Sequence, residues 1–409
     1  MKARPTFWLA LILLAALLAL GMADRYRLQE LRSARAKLLE QALAAGSVVD
    51  ADQAALPRPS KRPRMDPVPE AKAAAVAFMA YGRDMEAWQE RVIAEGGNPN
   101  APDKATRQRM IREIENIRSL DAAQLQILMG EIRDSGDITD RTRQSLLRFA
   151  MTCLVKVKPG EALQLLAEDT RLREAISWKT NGAVEVLVFS AAREWSALGT
   201  EPLLAWLETG ESSLPHDLTD EAIHGLTYGT ATRDPRLALD LTIRFGEDTG
   251  DFLRYGLASE GQSEDQRLLA LGVFREWSEE NPDASAKLRG EVLRNLAFGR
   301  NHEPESFETA TSWIARANLS QEDLQTLCNT ITLANREEEA PRWVEWFGAV
   351  LPPETAGHRI REFATEWAKT APGAFAEWFA SAPEGLAKRE AQAVMEILKR
   401  KESPSTAPD

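Results

Sequence analysis

The side chains best suited to bind a metal ion are concentrated in one short stretch of the chain. His216 and His224 are two of the four histidines, and Asp217, Asp220 and Glu221 lie between them. On a helix, Asp220 and His224 would share a face, because they are four residues apart, and both could reach one divalent cation. They supply only two ligands, and a zinc site needs at least three. The sequence Leu-Thr-Asp-Glu from 218 to 221 also fits a helix N-cap with its first-turn carboxylates, so we predict a helix start and no metal site.

The two cysteines lack the surroundings of a catalytic thiol. Cys153 and Cys328 each occupy an inner position of a helical stripe of Leu, Ile or Val, which predicts core thiols. Neither has a neighbouring histidine that could activate it as a nucleophile. A disulfide in an oxidising compartment stays open, because sequence alone cannot bring together residues 175 positions apart.

Two acidic loops resemble calcium-binding loops only superficially. Residues 134–140 and 247–251 lack the Asp-x-Asp-x-Asp-Gly layout and the distal bidentate Glu of an EF-hand loop, so we predict solvated turns. The chain also has no His-Glu-x-x-His, Gly-x-Ser-x-Gly, P-loop or Gly-x-Gly-x-x-Gly motif. We therefore predict no catalytic residues, no metal and no cofactor.

Paired carboxylates leave no motif, so one class of enzyme remains an alternative. An all-α toroidal enzyme could act on polysaccharide with Asp and Glu as acid and base and with tryptophans as sugar platforms. The chain has eleven tryptophans, six of which fall on apolar helical stripes, where packing between helices explains them: Trp195, Trp277, Trp343, Trp346, Trp367 and Trp378. We therefore prefer a binding protein without catalysis.

Charge is unevenly distributed along the 409 residues. The formal net charge is -12, the wrong sign for a general nucleic-acid binder. Residues 1–72 hold twelve Lys and Arg and seven Asp and Glu, which leaves a charge of about -17 on residues 73–409. A hydrophobic content of 44% and a charged content of 27% are typical of a folded protein.

The N-terminus has the features of an export signal or membrane anchor. A basic tail, residues 1–5, precedes the uncharged segment 6–23, whose 18 residues would reach roughly 27 Å as a helix, enough to span the hydrocarbon of a bilayer. Small residues at Gly21 and Ala23 keep cleavage after Ala23 open as the alternative. Basic residues after the segment oppose translocation under the positive-inside rule. We still expect a single-pass cell-membrane protein with the bulk of the chain outside the cytoplasm, in the periplasm, or a cleaved and secreted one.

Two further segments connect the anchor to the rest of the chain. Residues 24–45 alternate apolar and charged side chains at helical spacing, which predicts a helical stalk. The stalk could pair with a second copy, although its heptads are too few to define an oligomeric state. Residues 46–71 contain five prolines among basic residues, so we predict an extended linker.

Beyond the linker, apolar residues recur at i, i+3, i+4 and i+7, and no alternating β-branched run competes with them. We predict an all-α chain, with N-terminal helices over 72–118, a helical-repeat domain over 119–400 and a disordered tail over 401–409.

A tripeptide, Glu-Trp-[Ser/Ala], recurs along this region. It occurs at Trp195, Trp277 and Trp367, separated by 82 and 90 residues. A proline follows each tryptophan by five to seven residues, which predicts a helix, a short turn and a new helix.

These tryptophan and proline landmarks resemble those of α-solenoid proteins of the HEAT or tetratricopeptide type. They are most similar to uncharacterised bacterial helical-repeat proteins with an N-terminal anchor and Trp-Ala-x-x-x-Pro segments, as in 367–372. The resemblance covers about residues 119 to 400 and implies degenerate two-helix repeats, about six to eight pairs, stacked as a solenoid. It also implies a scaffold that binds a protein or peptide partner, and the excess of acid favours a basic or amphipathic one.

Overall fold

The helical periodicity predicts an all-α chain, and the computed structural model confirms this for the residues that it describes: 67–98, 102–177, 182–209, 214–258, 262–299, 306–333 and 337–402. These residues form 19 α-helices, in which neighbouring helices pack on one another, and no strand occurs among them. None of these helices is long and apolar enough to cross a bilayer. The predicted anchor, the stalk, most of the linker and the end of the tail lie outside the described residues.

The chain divides into two compact units, Met1–Val184 and Glu185–Asp409. In the described part of the first unit, α1 packs along α3, α3 packs on α4, and α4 contacts both α5 and α6. Its helices are α1 (Pro67–Ala94), α2 (Lys104–Arg118), α3 (Ala122–Asp134), α4 (Asp140–Val157), α5 (Pro159–Glu168) and α6 (Thr170–Ser177). Leu125, Leu128 and Ile132 of α3 are fully buried, so this apolar stripe forms part of the unit's core.

The second unit begins inside the next helix. Its helices are α7 (Ala183–Leu198), α8 (Thr200–Glu208), α9 (His216–Thr230), α10 (Pro235–Phe245), α11 (Thr249–Asp251), α12 (Glu264–Glu280), α13 (Pro282–Phe298), α14 (Phe307–Ala317), α15 (Gln321–Thr330), α16 (Ala340–Val350), α17 (Pro353–Thr370), α18 (Pro372–Ser381) and α19 (Leu386–Glu402). A π-helix (Phe252–Gly256) follows α11, and a 3₁₀ turn (Glu337–Glu339) precedes α16. One apolar core runs from α9 to α19 within this unit, and its largest buried side chains include Trp313, Trp343 and Trp367.

The first described helix starts earlier than the sequence predicted. We expected an extended linker up to residue 71, but α1 begins at Pro67, and Ala71 is already fully buried. The prolines do not prevent this, because Pro67 and Pro69 lie in the first turn, where backbone N–H groups have no partner within the helix.

The prolines that follow the repeated tripeptide lie at helix starts, as predicted, and three further prolines do the same. Pro159, Pro235, Pro282 and Pro372 are each the first residue of a helix. Pro341 and Pro202 are the second and third residues of their helices. A fixed φ near -65° and a missing N–H suit these positions.

Three of these prolines follow a junction of a single residue, which we call an elbow. Lys158, Asn281 and Ala371 each end one helix and start the next, with φ between -131° and -146° and ψ between 59° and 75°. The N–H of each residue donates to the carbonyl four residues earlier, at 2.8 to 3.0 Å. The residue before a proline rarely adopts helical φ and ψ angles, so the helix is interrupted at each elbow by a single residue.

The elbows also account for the spacing between tryptophan and proline in the repeated tripeptide regions. The carbonyls of Trp277 and Trp367 accept the elbow N–H of Asn281 and Ala371. The third copy of the tripeptide behaves similarly, because the carbonyl of Trp195 accepts the N–H of Gly199 before α8. The repeated tripeptide therefore marks the last turn of a helix.

Several helix C-termini are closed by an arginine from a neighbouring helix, among them the partly buried Arg148 and the buried Arg267. The guanidinium of Arg148 donates to the Ile176 carbonyl at the end of α6, and that of Arg267 donates to the Leu296 carbonyl in the last turn of α13. The last carbonyls of a helix lack partners within it, and a cation there also opposes the negative end of the helix dipole. Sequence analysis missed this role, because each donor and acceptor are 28 or 29 residues apart.

Candidate functional site

The predicted metal-ligand stretch forms α9, but the helix begins earlier than expected. We predicted an N-cap within 218–221, whereas the N-cap is Pro215 and the helix starts at His216. Thr219 lies inside the helix, and its hydroxyl donates to the Pro215 carbonyl at 3.1 Å. Proline can precede this helix without a side-chain cap, since its ψ of 153° keeps the chain extended up to that point.

The helix separates the two histidines. His216 is 94% exposed, and its Nδ1 lies 3.5 Å from Asp220 Oδ2. His224 instead packs edge-to-face on two aromatic rings, 5.5 Å from Phe189 and 4.5 Å from Tyr228 between ring centroids. Within the part of the chain that the structure describes, no three His, Cys, Asp or Glu side chains are placed to hold a metal ion.

Glycines bring these rings together by letting α9 lie very close to α7. A Cβ atom on Gly225 would lie 2.7 Å from the Ala192 Cβ, and one on Gly229 would overlap the Ser196 Oγ and the Arg193 carbonyl. The Ser196 hydroxyl donates to the Gly225 carbonyl at 3.3 Å across this contact. The residue before each glycine, His224 and Tyr228, is thereby held against Phe189 of α7.

A carboxylate from a distant part of the sequence joins this group. Glu247 follows Gly246, which ends α10 in the left-handed conformation at φ 73°. The N–H groups of Gly246 and Glu247 donate to the carbonyls of Ile243 and Thr242, the pattern of a Schellman motif. This motif fixes the backbone of Glu247, and its side chain interacts electrostatically with His224, Asp220 and Glu221.

Burial and the charges of neighbouring carboxylates raise the pKa values of two of these carboxyls. Partial burial raises the pKa of Glu221, and the charges of Glu185 and Asp220 add to this effect. Partial burial likewise raises the pKa of Glu247, where His224 acts in the opposite direction. We call Glu185, Asp220, Glu221, His224 and Glu247 the Glu–His cluster.

The Glu–His cluster combines negative charge with half-exposed aromatic rings. Phe189 and His224 are each partly accessible, whereas Tyr228 is 5% exposed and packs on Phe252 of the π-helix at 6.2 Å. Carboxylates and aromatic faces both attract cations. Groups with perturbed pKa values that converge from separate parts of the chain also mark functional-site candidates. The arrangement could hold a cationic side chain, or exchange a proton through Glu221 or Glu247.

Comparisons of the chain with protein-family models, with curated proteins and with solved structures give no match. The described chain is all-helical, and neighbouring helices pack together.

The remaining candidates from the sequence have structural roles. Cys153 and Cys328 are both free and buried, as predicted, and burial raises the pKa of their thiols to about 11 and about 12. Each acidic loop caps a helix: the Thr139 side chain accepts the Thr142 N–H, and the Asp248 carboxylate accepts the Asp251 N–H.

The tryptophans on the predicted stripes pack as expected. Trp343, Trp367 and Trp378 are buried, and Trp277 and Trp346 are partly buried against the same core. Trp195 is half-buried, with its ring 6.1 Å from that of Trp206. None of the tryptophans that the structure describes is exposed as a sugar platform would be.

Proposed function

We propose that the chain is a membrane-anchored or exported α-solenoid scaffold whose second unit binds a basic segment of a protein or peptide partner, without catalysis. Segment 6–23 would supply the anchor, and the bulk of the chain would lie in the periplasm. The observation that carries the partner's chemistry is the charge of the second unit together with the Glu–His cluster on it.

The second unit contains the whole acidic excess of residues 67–409. Residues 185–409 include 39 Asp and Glu against 22 Lys and Arg, whereas residues 67–184 include 17 of each. A net charge of -17 on one unit attracts a basic partner over a distance of about one Debye length, roughly 8 Å at physiological salt.

The charges that act on Glu221 and Glu247 come from carboxylates and His224, and two arginines of the elements on either side of Glu247 pair with carboxylates outside the cluster. The Arg244 guanidinium lies 2.5 Å from Glu208 Oε1, and the Arg254 guanidinium lies 2.9 Å from both Asp251 and Glu291. The Glu–His cluster is thus a local concentration of carboxylates available to an incoming cation.

A site-specific crosslinking experiment tests this proposal. A photoreactive residue replaces Val186, which directly follows Glu185 and is 63% exposed, in the full-length protein in its native host. The matched control is Leu269 of α12, which is 59% exposed. We expect a protein crosslinked from position 186 through a basic segment, lost at high salt and in a Glu221→Lys/Glu247→Lys variant. Identical crosslinks from both positions, or crosslinks that survive charge reversal, would contradict the proposal.

The polysaccharide-active enzyme stays the second candidate, because Glu221 and Glu247 are a pair of carboxyls with raised pKa values, and a general acid needs such a shift. The buried tryptophans weigh against it. Its test is the release of reducing ends from envelope polysaccharide by the purified full-length protein. Release that disappears in both Glu221→Gln and Glu247→Gln would establish the enzyme, and no release would leave the scaffold.

A further inference from the structure

The end of α7 and the short helix α8 expose apolar side chains of the second unit. Leu198, the last residue of α7, is 73% exposed, more than any other large apolar side chain that the structure describes. Trp195 lies three residues earlier on the same side of α7, and its ring is 6.1 Å from that of Trp206 in α8. Both tryptophans are half-buried, and neither belongs to the apolar core that runs from α9 to α19. Both side chains are therefore partly accessible to another molecule.

Helix α8 continues this apolar surface. Six of its nine residues are apolar, yet Leu203 is the only one of the six that is buried. Pro202 and Ala205, three residues apart, are both exposed. A surface helix usually buries its apolar side chains in one stripe, so α8 presents more apolar surface than its own packing uses. We call Trp195, Leu198, Pro202, Ala205 and Trp206 the tryptophan corner.

A second pair of tryptophans shows a similar arrangement in a buried setting. Trp367 and Trp378 are 11 residues apart, as Trp195 and Trp206 are, and each pair joins the end of one helix to the next helix. The ring centroids of Trp367 and Trp378 lie 5.3 Å apart, and both side chains belong to the apolar core. The chain therefore buries one copy of the pair and leaves the other half-exposed.

The helices around the tryptophan corner are acidic. Residues 183–245, from α7 to α10, include ten Asp and Glu against four Lys and Arg. The Arg233 guanidinium is engaged at the corner itself, where it donates to the Leu198 carbonyl at 2.7 Å. Arg236 and Arg244 of α10 form ion pairs with carboxylates of α12 and α8. Apolar surface with such an acidic border complements a helix that has one apolar and one basic face.

We propose that the tryptophan corner binds an amphipathic helix of a partner protein, whose apolar side chains lie on Trp195, Leu198 and Trp206 and whose basic side chains face the surrounding carboxylates. This proposal rests on the binding function proposed above and deepens it, because it adds a second contact surface and gives the partner segment a form. Tryptophans dominate the binding energy of many interfaces, and a helix that lays its apolar face on an apolar surface is a common mode of recognition.

Binding of defined peptides to the full-length protein tests the proposal. The protein is held in nanodiscs of neutral lipid, and empty nanodiscs are the blank. The probe is a fluorescent peptide of leucine and lysine whose leucines recur at i, i+3, i+4 and i+7, and its control has the same composition in an order that gives no apolar face. Fluorescence anisotropy measures both affinities. We expect the wild type to bind the amphipathic peptide at least about tenfold more tightly than the scrambled one.

Two double variants locate the surface that binds the peptide. Leu198→Gln/Ala205→Arg changes two exposed residues of the corner, and Leu269→Gln/Ala286→Arg makes the same changes at exposed residues of α12 and α13. Both variants have the same net charge, and the fold should tolerate both because the replaced side chains are exposed. We expect the corner variant to bind the amphipathic peptide at least about tenfold more weakly than the wild type, and the control variant to bind it within about twofold of the wild type.

Equal affinities of the two double variants, or of the two peptides for the wild type, would overturn the proposal. Dimerisation of the wild type that the corner variant abolishes would also overturn it, because a second copy of the chain would then occupy the surface.

An octalysine probe separates the tryptophan corner from the Glu–His cluster. Octalysine binding that is lost in Glu221→Lys/Glu247→Lys, without any preference of the amphipathic peptide for the corner, would refute the corner and leave the proposed function. An amphipathic peptide that binds at the corner, while octalysine binds the wild type and Glu221→Lys/Glu247→Lys equally, would refute the cluster as a binding site and support the corner.

Discussion

At the scale of single residues, side chains act on groups far away in the sequence. Arg359 of α17 is 7% exposed and donates to the carbonyls of Cys328 and Ile331, and its guanidinium lies 5.3 Å from the Phe347 ring centroid. It joins Arg148 and Arg267 in closing the C-terminus of a neighbouring helix. A buried charge is tolerated here because carbonyls, aromatic rings and Glu362 at 3.3 Å all contact it.

Replacing Arg359 with methionine should destabilise the second unit by about 2–4 kcal/mol, because buried carbonyls lose their donor. Arg361→Met is the control: Arg361 is on the same helix, and its pair with Glu390 is half-exposed, so we expect a loss of about 0–1 kcal/mol. Urea unfolding followed by circular dichroism measures both. Equal losses in the two variants would show that the carbonyl contacts do not matter.

The thiols of Cys153 and Cys328 should resist modification in the folded protein. Both are buried, and burial raises their pKa to about 11 and about 12, so the reactive thiolate is scarce even at pH 9. We expect a disulfide reagent to label neither thiol between pH 7 and pH 9 and to label both once urea unfolds the chain. Rapid labelling of the native protein would disprove the buried position of these cysteines.

At the scale of helices, much of the structure followed from sequence patterns. The recurrence of apolar residues every three or four positions predicted helices correctly, as at Leu125, Leu128 and Ile132 of α3, because that spacing is set by helix geometry. The prolines predicted helix starts correctly, since the fixed φ of proline and its missing N–H affect only the adjacent backbone. The predicted start of α9 was wrong, because the residues around Thr219 suit an N-cap as well as they suit the interior of a helix. The helix begins directly after Pro215 instead.

The Glu–His cluster could be predicted only in part. Asp220 and His224 share a helix, and their proximity follows from spacing. Glu247 is 23 residues beyond His224, and it reaches the cluster through the turn after α10 and the close packing of α9 on α7. The half-buried setting that shifts the pKa values depends on this packing, which no local pattern encodes.

The close contact between α7 and α9 should not tolerate a methyl group. Gly229→Ala would push Cβ into the Ser196 hydroxyl and the Arg193 carbonyl, and we expect a loss of about 1–3 kcal/mol. The matched control is Gly272→Ala on α12, where a Cβ meets nothing within 4 Å. That change should be neutral or stabilise by up to about 1 kcal/mol, because alanine is the better helix former. Thermal unfolding of the two variants measures both effects. No loss of stability in Gly229→Ala would mean that α7 and α9 are farther apart than the structure places them.

At the scale of the whole molecule, net charge differs from one part of the chain to another. Residues 1–66 have a net charge of +5, residues 67–184 have none and residues 185–409 have -17. If segment 6–23 is the anchor, a basic region lies next to the bilayer, and the acidic second unit lies farther along the chain. Anionic headgroups would favour the first and repel the second.

The anchor itself has a direct test. We expect the full-length chain to stay in the membrane fraction after an alkaline wash and a variant that lacks residues 6–23 to be soluble. Intact mass measures the mature N-terminus in the same samples. A mature protein that begins at Asp24 and is soluble would replace the anchor with a cleaved export signal.

The elbows bear on how the chain folds during synthesis. Every backbone hydrogen bond that shapes an elbow joins residues four positions apart, as in Asn281 to Trp277 and Ser285 to Asn281. Closing such short loops has a small entropic cost, and structures rich in local contacts fold quickly. Two helices joined by an elbow can thus set their mutual direction as soon as both have left the ribosome. Contacts within the core, such as that of Arg359 with Cys328, join residues that are far apart in the sequence. The bends of the chain can therefore form before its core does.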